Sequence, residues 1–221
     1  MSNLRRNFMG KKIIVLFALT LMLAGCTPAT DTKTNAGTDT TVATEQKLAE
    51  LPASLVDENA EVLYASTNSS ITVENLDEYM NRSDVHYIDI RDYSDYAAKH
   101  FKNFEIIPYF GYVFNAEAHT DSNMVQLFGG TPEEPVAVYE ESESVLNALF
   151  PKDKNLFIMC EKGGRVTQLM QILDAHDYDM SKIYNIGGMG QYTDAKYKDM
   201  ITDSYELTLD ATYGFEGLTR K

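Results

Sequence analysis

The residues from Leu156 to Ala175, LFIMCEKGGRVTQLMQILDA, carry the clearest structural pattern in this chain. The first four of them form a short apolar run typical of a buried strand, and Gly163 and Gly164 favour a chain reversal. The apolar residues after the glycines recur at helical spacing: Val166, Leu169, Met170, Ile172 and Leu173. The segment therefore predicts a strand, a tight loop and a helix, with Cys160 where the strand ends.

The position of Cys160 predicts a reactive thiol. The first N–H groups of a helix have no partner within the helix and favour an anion, and Lys162 and Arg165 add positive charge beside them. Such surroundings stabilise the thiolate, which is the nucleophilic form of cysteine. An inert core cysteine is the alternative. The glycine-rich, basic loop favours the reactive interpretation.

Residues 160–165, CEKGGR, resemble the active loop of rhodanese-domain sulfurtransferases, in which a cysteine precedes a small glycine-containing loop and a basic residue. Residues 87–108, YIDIRDYSDYAAKHFKNFEIIP, are similar to that family's strand, Asp-x-Arg, helix and strand segment. Residues 183–192, IYNIGGMGQY, are similar to its strand, double-glycine turn and aromatic residue. The three stretches follow the order of the family, and they most resemble lipid-anchored rhodanese-like lipoproteins of Gram-positive bacteria.

This resemblance implies an α/β fold, with a single rhodanese-like domain at residues 60–200 whose parallel sheet is flanked by helices on both faces. The sequence agrees, because predicted strands alternate with predicted helices as a parallel sheet requires. Ligands of such sheets bind at the carboxyl ends of the strands, where Cys160 lies. By resemblance, Cys160 is the catalytic residue, and the loop that follows binds substrate and persulfide through Glu161, Lys162, Gly163, Gly164, Arg165 and Val166.

The other elements follow from apolar periodicity. We predict strands at 61–65, 85–90, 105–108 and 183–186. We predict helices from Ile71 onward, at 93–100, at 145–150 and at 196–200. The C-terminal extension at 201–221 contains an alternating stretch, 205–209, that is typical of an edge strand. Residues 109–155 form either one wall of the substrate entrance or a packed surface insertion.

Four residues near the predicted site have structural roles. Asp89 and Arg91 form an Asp-x-Arg pair at a strand end, which is more often a salt bridge and loop anchor than a catalytic pair. Gly187 and Gly188 suit a turn in which no side chain is tolerated. The histidines show no spacing that suggests a metal site, so we predict no metal and no cofactor.

The resemblance implies a two-step sulfur transfer. The Cys160 thiolate attacks a small sulfane-sulfur donor and becomes a persulfide, which the backbone N–H groups of the loop stabilise. A thiol or a cyanide-like acceptor then takes the sulfur. Phosphatases of related fold have a Cys-x5-Arg loop, whereas the Cys-x4-Arg spacing here favours sulfur. Val166 and Tyr192 replace residues usual in the family, so a catalytically weak binding or redox-sensing module is the alternative.

Residues 1–25 are predicted to be a lipoprotein signal peptide. Basic residues precede the apolar run 13–23, which is too short to span a bilayer, and Leu-Ala-Gly stands directly before Cys26. By resemblance to a bacterial lipobox, Cys26 becomes diacylated and holds the protein on the extracytoplasmic face of the cell membrane. An ordinary signal peptide is the alternative, and twin-arginine export competes with the favoured general secretion route. Residues 26–59, rich in threonine, are predicted to be a disordered tether.

The charge of the chain excludes nucleic acid as a partner. The sequence has 19 basic and 33 acidic residues, and four of the basic ones lie within the first 25 residues. An acidic body of this kind repels phosphate backbones and anionic membrane surfaces. It also opposes a small dianion such as thiosulfate, so a persulfide or polysulfide with a neutral tail is the favoured donor.

Overall fold

The computed structural model describes residues 48–203 and 211–221. The strands in these residues are β1 (Val85–Asp89), β2 (Lys99–Phe101), β3 (Glu105–Ile106), β4 (Phe128–Gly130), β5 (Pro135–Ala137), β6 (Asn155–Cys160), β7 (Ile183–Gly188) and β8 (Ile201–Asp203). The α-helices are α1 (Tyr93–Ala98), α2 (Ser142–Leu149) and α3 (Gly164–Ala175). A π-helix spans Tyr109–Val113, and 3-10 turns span Ser66–Asn68, Leu76–Tyr79, Met180–Lys182, Met189–Gln191 and Ala195–Met200.

A four-stranded parallel sheet in the order β3, β1, β6, β7 forms the centre of the fold. Ile158 of β6 aligns with Ile88 of β1, and Cys160 aligns with Gly188 of β7 after a shift in register. Because all four strands are parallel, their carboxyl ends meet at one edge, and Cys160 lies at that edge. The predicted α/β class with a parallel sheet is confirmed.

Alternate residues of β6 enter two different cores, as the period of a strand requires. Leu156, Ile158 and Cys160 pack in the core that also holds residues of α2 and α3. Phe157 and Met159 pack in the opposite core, which also holds residues of β1, β7 and β2 and residues of three 3-10 turns. Helical elements therefore cover both faces of the sheet, as predicted. The first face is covered by the α-helices α2 and α3, whereas the second is covered by short 3-10 turns.

Two predictions for residues before β1 are wrong. Residues 61–65, predicted as a strand, form turns, with the Ala65 N–H donating to the Val62 carbonyl over 3.1 Å. The helix predicted from Ile71 is reduced to the 3-10 turn Leu76–Tyr79. The Asn75 side chain accepts a hydrogen bond from the Thr72 N–H (2.9 Å) and donates to the Ser70 carbonyl (3.0 Å). Such side-chain bonds to the backbone compete with helix formation.

The folded part begins before the predicted boundary at residue 60. Ser54 is buried and donates to the Met180 carbonyl over 2.9 Å, and the Tyr184 hydroxyl donates to the Pro52 carbonyl over 2.7 Å. The end of the predicted tether therefore packs on the body, where Leu55 and Leu51 also contact the two apolar cores. The predicted signal peptide, Cys26 and most of the tether lie outside the described residues.

The long connection between β3 and β6 is folded. It contains the π-helix, the antiparallel pair β4 and β5, and α2, which corresponds to the predicted helix at 145–150. Near the C-terminus β8 pairs antiparallel with β2, whereas the predicted edge strand at 205–209 lies outside the described residues. In the part of the chain that the structure describes, no helix combines the length and apolar character needed to cross a membrane.

Candidate functional site

Cys160 is the last residue of β6, and its thiol lies directly beneath the loop that follows. The residue is 1% exposed. Its Sγ accepts a hydrogen bond from the Gly163 N–H, with 3.1 Å between nitrogen and sulfur. The chain thus curls back over the cysteine within three residues and then enters α3. A backbone donor already faces the sulfur that the sequence predicts to be reactive.

The curl of the loop depends on a glycine at position 163. Gly163 has φ +90°, which lies in the left-handed region where a side chain is strained. A Cβ at this position would also lie 2.8 Å from Ser66 Oγ. Gly164, in contrast, has no heavy atom within 4 Å of such a Cβ and simply starts the helix.

The glycine pair at the end of β7 lies against the same loop. A Cβ on Gly188 would overlap the backbone of Glu161 and Lys162. Gly187 has φ +86°, and the Gly188 N–H donates to Gln191 Oε1 over 2.8 Å. Gly188 therefore serves more than turn geometry, because its missing side chain lets the loop pack on β7.

Asn185 ties the loop to its surroundings, and the sequence analysis missed it. Its side-chain nitrogen donates to the carbonyls of Tyr64 (2.8 Å) and Gly163 (3.0 Å), and its Oδ1 accepts from the Gly187 N–H (3.1 Å). The residue is 2% exposed. A polar side chain in the middle of the apolar run IYNI was the available signal, since buried polar groups need partners.

Asp89 and Arg91 form a buried salt bridge at the end of β1. Arg91 Nε lies 3.0 Å from both carboxylate oxygens, and Nη2 lies 2.6 Å from Oδ2. Arg91 also donates to the carbonyls of Asp95 and Lys99, and its Nη1 lies 3.9 Å from Glu161 Oε2. Burial raises the pKa of the Asp89 carboxyl, and the contact with Arg91 opposes that change. The pair links β1, α1 and the loop.

The charged residues of the loop differ in their surroundings. Glu161 and Lys162 are exposed, whereas Arg165 is partly buried on the first turn of α3. The guanidinium carbon of Arg165 lies 5.5 Å from the centre of the Phe110 ring, a cation–π arrangement. Arg165 Nη1 is buried and has no hydrogen-bond partner among the described residues. Phe110 belongs to the π-helix, so the insertion borders the loop.

The prediction that Val166 helps to bind the persulfide concerns its backbone N–H group and not its side chain. Its side chain is fully buried in the core that also holds Leu169 and Met170. The helical period of the sequence already grouped these residues on one face. The side chain of Val166 is therefore a core residue, and only its backbone belongs to the loop. Tyr192 is likewise buried, and its hydroxyl donates to the Ile186 carbonyl over 2.6 Å.

The arrangement can supply a nucleophile and a backbone donor, together with the Arg165 guanidinium, whose Nη1 has no hydrogen-bond partner in residues 48–203 and 211–221. The sulfur of Cys160 already receives one N–H bond, and the first N–H groups of α3 have no partner within the helix. Within residues 48–203 and 211–221, no cluster of three or more His, Cys, Asp or Glu side chains could hold a metal ion.

Comparisons with known proteins give structural resemblances only. No family model matches the chain, and no curated protein matches it. A rhodanese-like domain protein from Staphylococcus aureus is similar over 68% of this chain and 96% of its own, with 20% identity and a TM-score of 0.35. A Staphylococcus saprophyticus protein matches over 57% of this chain and 94% of its own, with 20% identity and a TM-score of 0.34. A rhodanese-like domain from Anabaena matches over 68% of this chain and 90% of its own, with 11% identity and a TM-score of 0.37.

Proposed function

We propose that this protein is a rhodanese-like sulfurtransferase or sulfur carrier that forms a persulfide on Cys160. The observation that carries the proposal is the hydrogen bond from the Gly163 N–H to Cys160 Sγ at the carboxyl end of the central strand. A donor in that position stabilises negative charge on sulfur, both in the thiolate and in the persulfide. The Cys-x4-Arg spacing, which suits sulfur better than phosphate, supports the same chemistry.

The proposed reaction has two balanced steps. The Cys160 thiolate attacks the outer sulfur of a persulfide anion, the bond between the two donor sulfurs breaks, and the donor leaves as a thiolate. Cys160 then carries the transferred sulfur as its own persulfide anion. In the second step cyanide or a thiolate attacks that outer sulfur, and Cys160 returns to the thiolate. No cofactor or metal takes part in this scheme.

We further propose that this chemistry takes place at the outer face of a bacterial cell membrane. The support is the sequence alone: a basic stretch, the apolar run 13–23 and the Leu-Ala-Gly-Cys motif that ends at Cys26. A diacyl anchor on Cys26, followed by the threonine-rich stretch, would hold the domain near the surface. Metabolic labelling with a fatty acid, compared between the native chain and Cys26→Ser, tests this anchor.

A second function remains a candidate because of one observation, the near-complete burial of Cys160. A thiol that is 1% exposed reacts only when the loop above it moves. If that movement is rare, the domain serves as a binding or redox-sensing module. The two functions differ in turnover, because a module of this kind would not release thiocyanate repeatedly.

Cyanide-dependent sulfur transfer by Cys160→Ser tests the proposed function. We expect this variant to keep the fold, because serine is nearly isosteric with cysteine, and to lose transfer completely, because oxygen cannot carry the sulfur. Circular dichroism checks the fold, and thiocyanate release measures transfer. Equal release by the variant and the native protein would contradict the proposal.

A further inference from the structure

Phe110 presents an aromatic ring beside the loop, at the carboxyl edge of the sheet. The residue is 49% exposed, whereas most other phenylalanines among the described residues are buried. The π-helix around it is held in place, because Gln126 Nε2 donates to the Phe110 carbonyl over 2.7 Å and the Tyr109 ring packs 5.1 Å away. Single-turn π-helices often occur at functional sites.

Arg165 is the arginine whose hydrogen bonds are missing. The described residues contain three other arginines, and each donates several hydrogen bonds: Arg82, Arg91 and Arg220. Arg165 Nη1 is buried without a partner in the described residues, and the ring of Phe110 lies over its guanidinium. A buried N–H donor without a partner lowers the stability of the folded protein. A bound group that accepts its hydrogen bond would offset this cost.

We propose that Phe110 and Arg165 form a donor subsite, here called the Phe110–Arg165 subsite, for an organic sulfane-sulfur anion with an apolar body. Arg165 Nη1 donates to the anionic group of the donor, and the body of the donor packs on the exposed ring of Phe110. This inference rests on the proposed function, because it names the class of donor for the same cysteine. Suitable donors are persulfides and thiosulfonates that carry an aromatic or branched aliphatic group.

Two physical terms favour such a donor over thiosulfate. The chain has 33 acidic against 19 basic residues, so a dianion is repelled more strongly than a monoanion. Aromatic contact with an exposed ring adds affinity that an inorganic donor cannot gain. Arg165 supplies one positive charge, which matches one negative charge on the donor.

The reaction with an aromatic thiosulfonate balances without a further reactant. The Cys160 thiolate attacks the outer sulfur of benzenethiosulfonate, and the bond between that sulfur and the sulfonyl sulfur breaks. The electron pair of the broken bond leaves with benzenesulfinate, and Cys160 keeps the transferred sulfur as a persulfide anion. Thiosulfate reacts in the same way and releases sulfite. The two donors differ chiefly in the phenyl group, which thiosulfate lacks, and in charge, since thiosulfate is a dianion and benzenethiosulfonate a monoanion.

The first experiment compares kcat/KM for benzenethiosulfonate with kcat/KM for thiosulfate in four proteins. They are the native protein, Phe110→Ala, Phe110→Tyr and the control Val136→Ala, which alters another exposed apolar side chain of the insertion. We expect Phe110→Ala to lower the ratio about three- to tenfold. Phe110→Tyr keeps the ring and should keep the ratio, as should Val136→Ala. An unchanged ratio in Phe110→Ala overturns the subsite.

The second experiment separates the subsite from the proposed chemistry. Benzenesulfonate, which has no sulfane sulfur, is titrated onto Cys160→Ser and onto Cys160→Ser with Phe110→Ala. We expect the second protein to bind it about three- to tenfold more weakly. Binding with no dependence on Phe110 overturns the subsite whatever the activity. If this binding depends on Phe110 but the native protein, with Cys160 in place, forms no persulfide, the subsite is supported and the proposed function is contradicted. Phe110→Leu replaces Phe110→Ala in both experiments if the alanine variant does not fold.

Discussion

Arg91 and Arg165 both lie at the carboxyl edge of the sheet, yet their surroundings are opposite. Arg91 is 4% exposed and donates to Asp89 and to two backbone carbonyls. Arg165 is partly buried, faces the ring of Phe110, and leaves Nη1 without a partner in the described residues. The protein supplies acceptors for the guanidinium of Arg91, whereas Nη1 of Arg165 lacks one in the described residues.

This difference distinguishes an arginine that stabilises the fold from an arginine that can still donate a hydrogen bond to a ligand. The donors of Arg91 are used to hold β1, α1 and the loop together, so little remains for a substrate. Within the described residues the Arg165 side chain makes no hydrogen bond that ties it to another element, and Arg165 lies on the helix that starts directly after the Cys160 loop. We therefore propose that Arg91 contributes to stability and that Arg165 contributes to donor recognition.

The same substitution at both arginines tests this assignment most strongly. Arg91→Met leaves the buried Asp89 carboxylate unpaired and should lower the free energy of unfolding by about 3–5 kcal/mol. Arg165→Met removes no hydrogen bond within the described residues and should change it by less than about 0.5 kcal/mol. Urea denaturation measures both values. Similar losses of unfolding free energy in the two variants would show that both arginines stabilise the fold, which contradicts the assignment.

Alanine substitutions at two glycines of this region, Gly188 and Gly164, should give the next largest difference in stability. Gly188→Ala places a Cβ into the backbone of Glu161 and Lys162, which should cost about 1–3 kcal/mol and displace the loop. Gly164→Ala meets nothing within 4 Å and should leave both stability and persulfide formation nearly unchanged. Denaturation together with the rate of sulfur uptake checks the pair. Full activity in a stable Gly188→Ala protein would mean that the loop does not need this contact.

Removal of the Arg165 side chain should affect donors rather than folding. Arg165→Ala should lower kcat/KM for anionic donors by about tenfold or more, because a hydrogen bond to a charged group is lost. The rate at which the neutral reagent iodoacetamide alkylates Cys160 should fall much less, and it serves as the internal control. Equal losses in the reaction with anionic donors and in alkylation would show that Arg165 acts by supporting the loop.

The sequence was most informative where local pattern and fold agree. The apolar run of β6, the glycines and the helical period of α3 each specify their own conformation, so the placement of Cys160 at a strand end could be predicted. The same period already placed Val166 among the core residues of α3. Hydrogen bonds between the Asn75 side chain and the backbone of Ser70 and Thr72 replaced the predicted helix, and apolar periodicity does not reveal this competition.

The missed parts of the site depend on contacts that are distant in sequence. Asn185 joins Tyr64 and Gly163, and Phe110 meets Arg165 through an insertion whose path no local pattern specifies. Gly188 looked like a turn residue, whereas its role comes from the loop after a different strand. Tertiary packing, which brings these segments to one edge of the sheet, cannot be inferred from their separate sequences.

The mass of the protein after treatment with a sulfane-sulfur donor shows whether a persulfide forms on Cys160. Residues 47–221 form one compact unit and contain Cys160 as their single cysteine. After reaction and desalting, this unit should gain the mass of one sulfur atom, which dithiothreitol or cyanide removes, and Cys160→Ser should gain none. A folded, reduced protein that gains no sulfur from thiosulfate, polysulfide or glutathione persulfide would contradict the account.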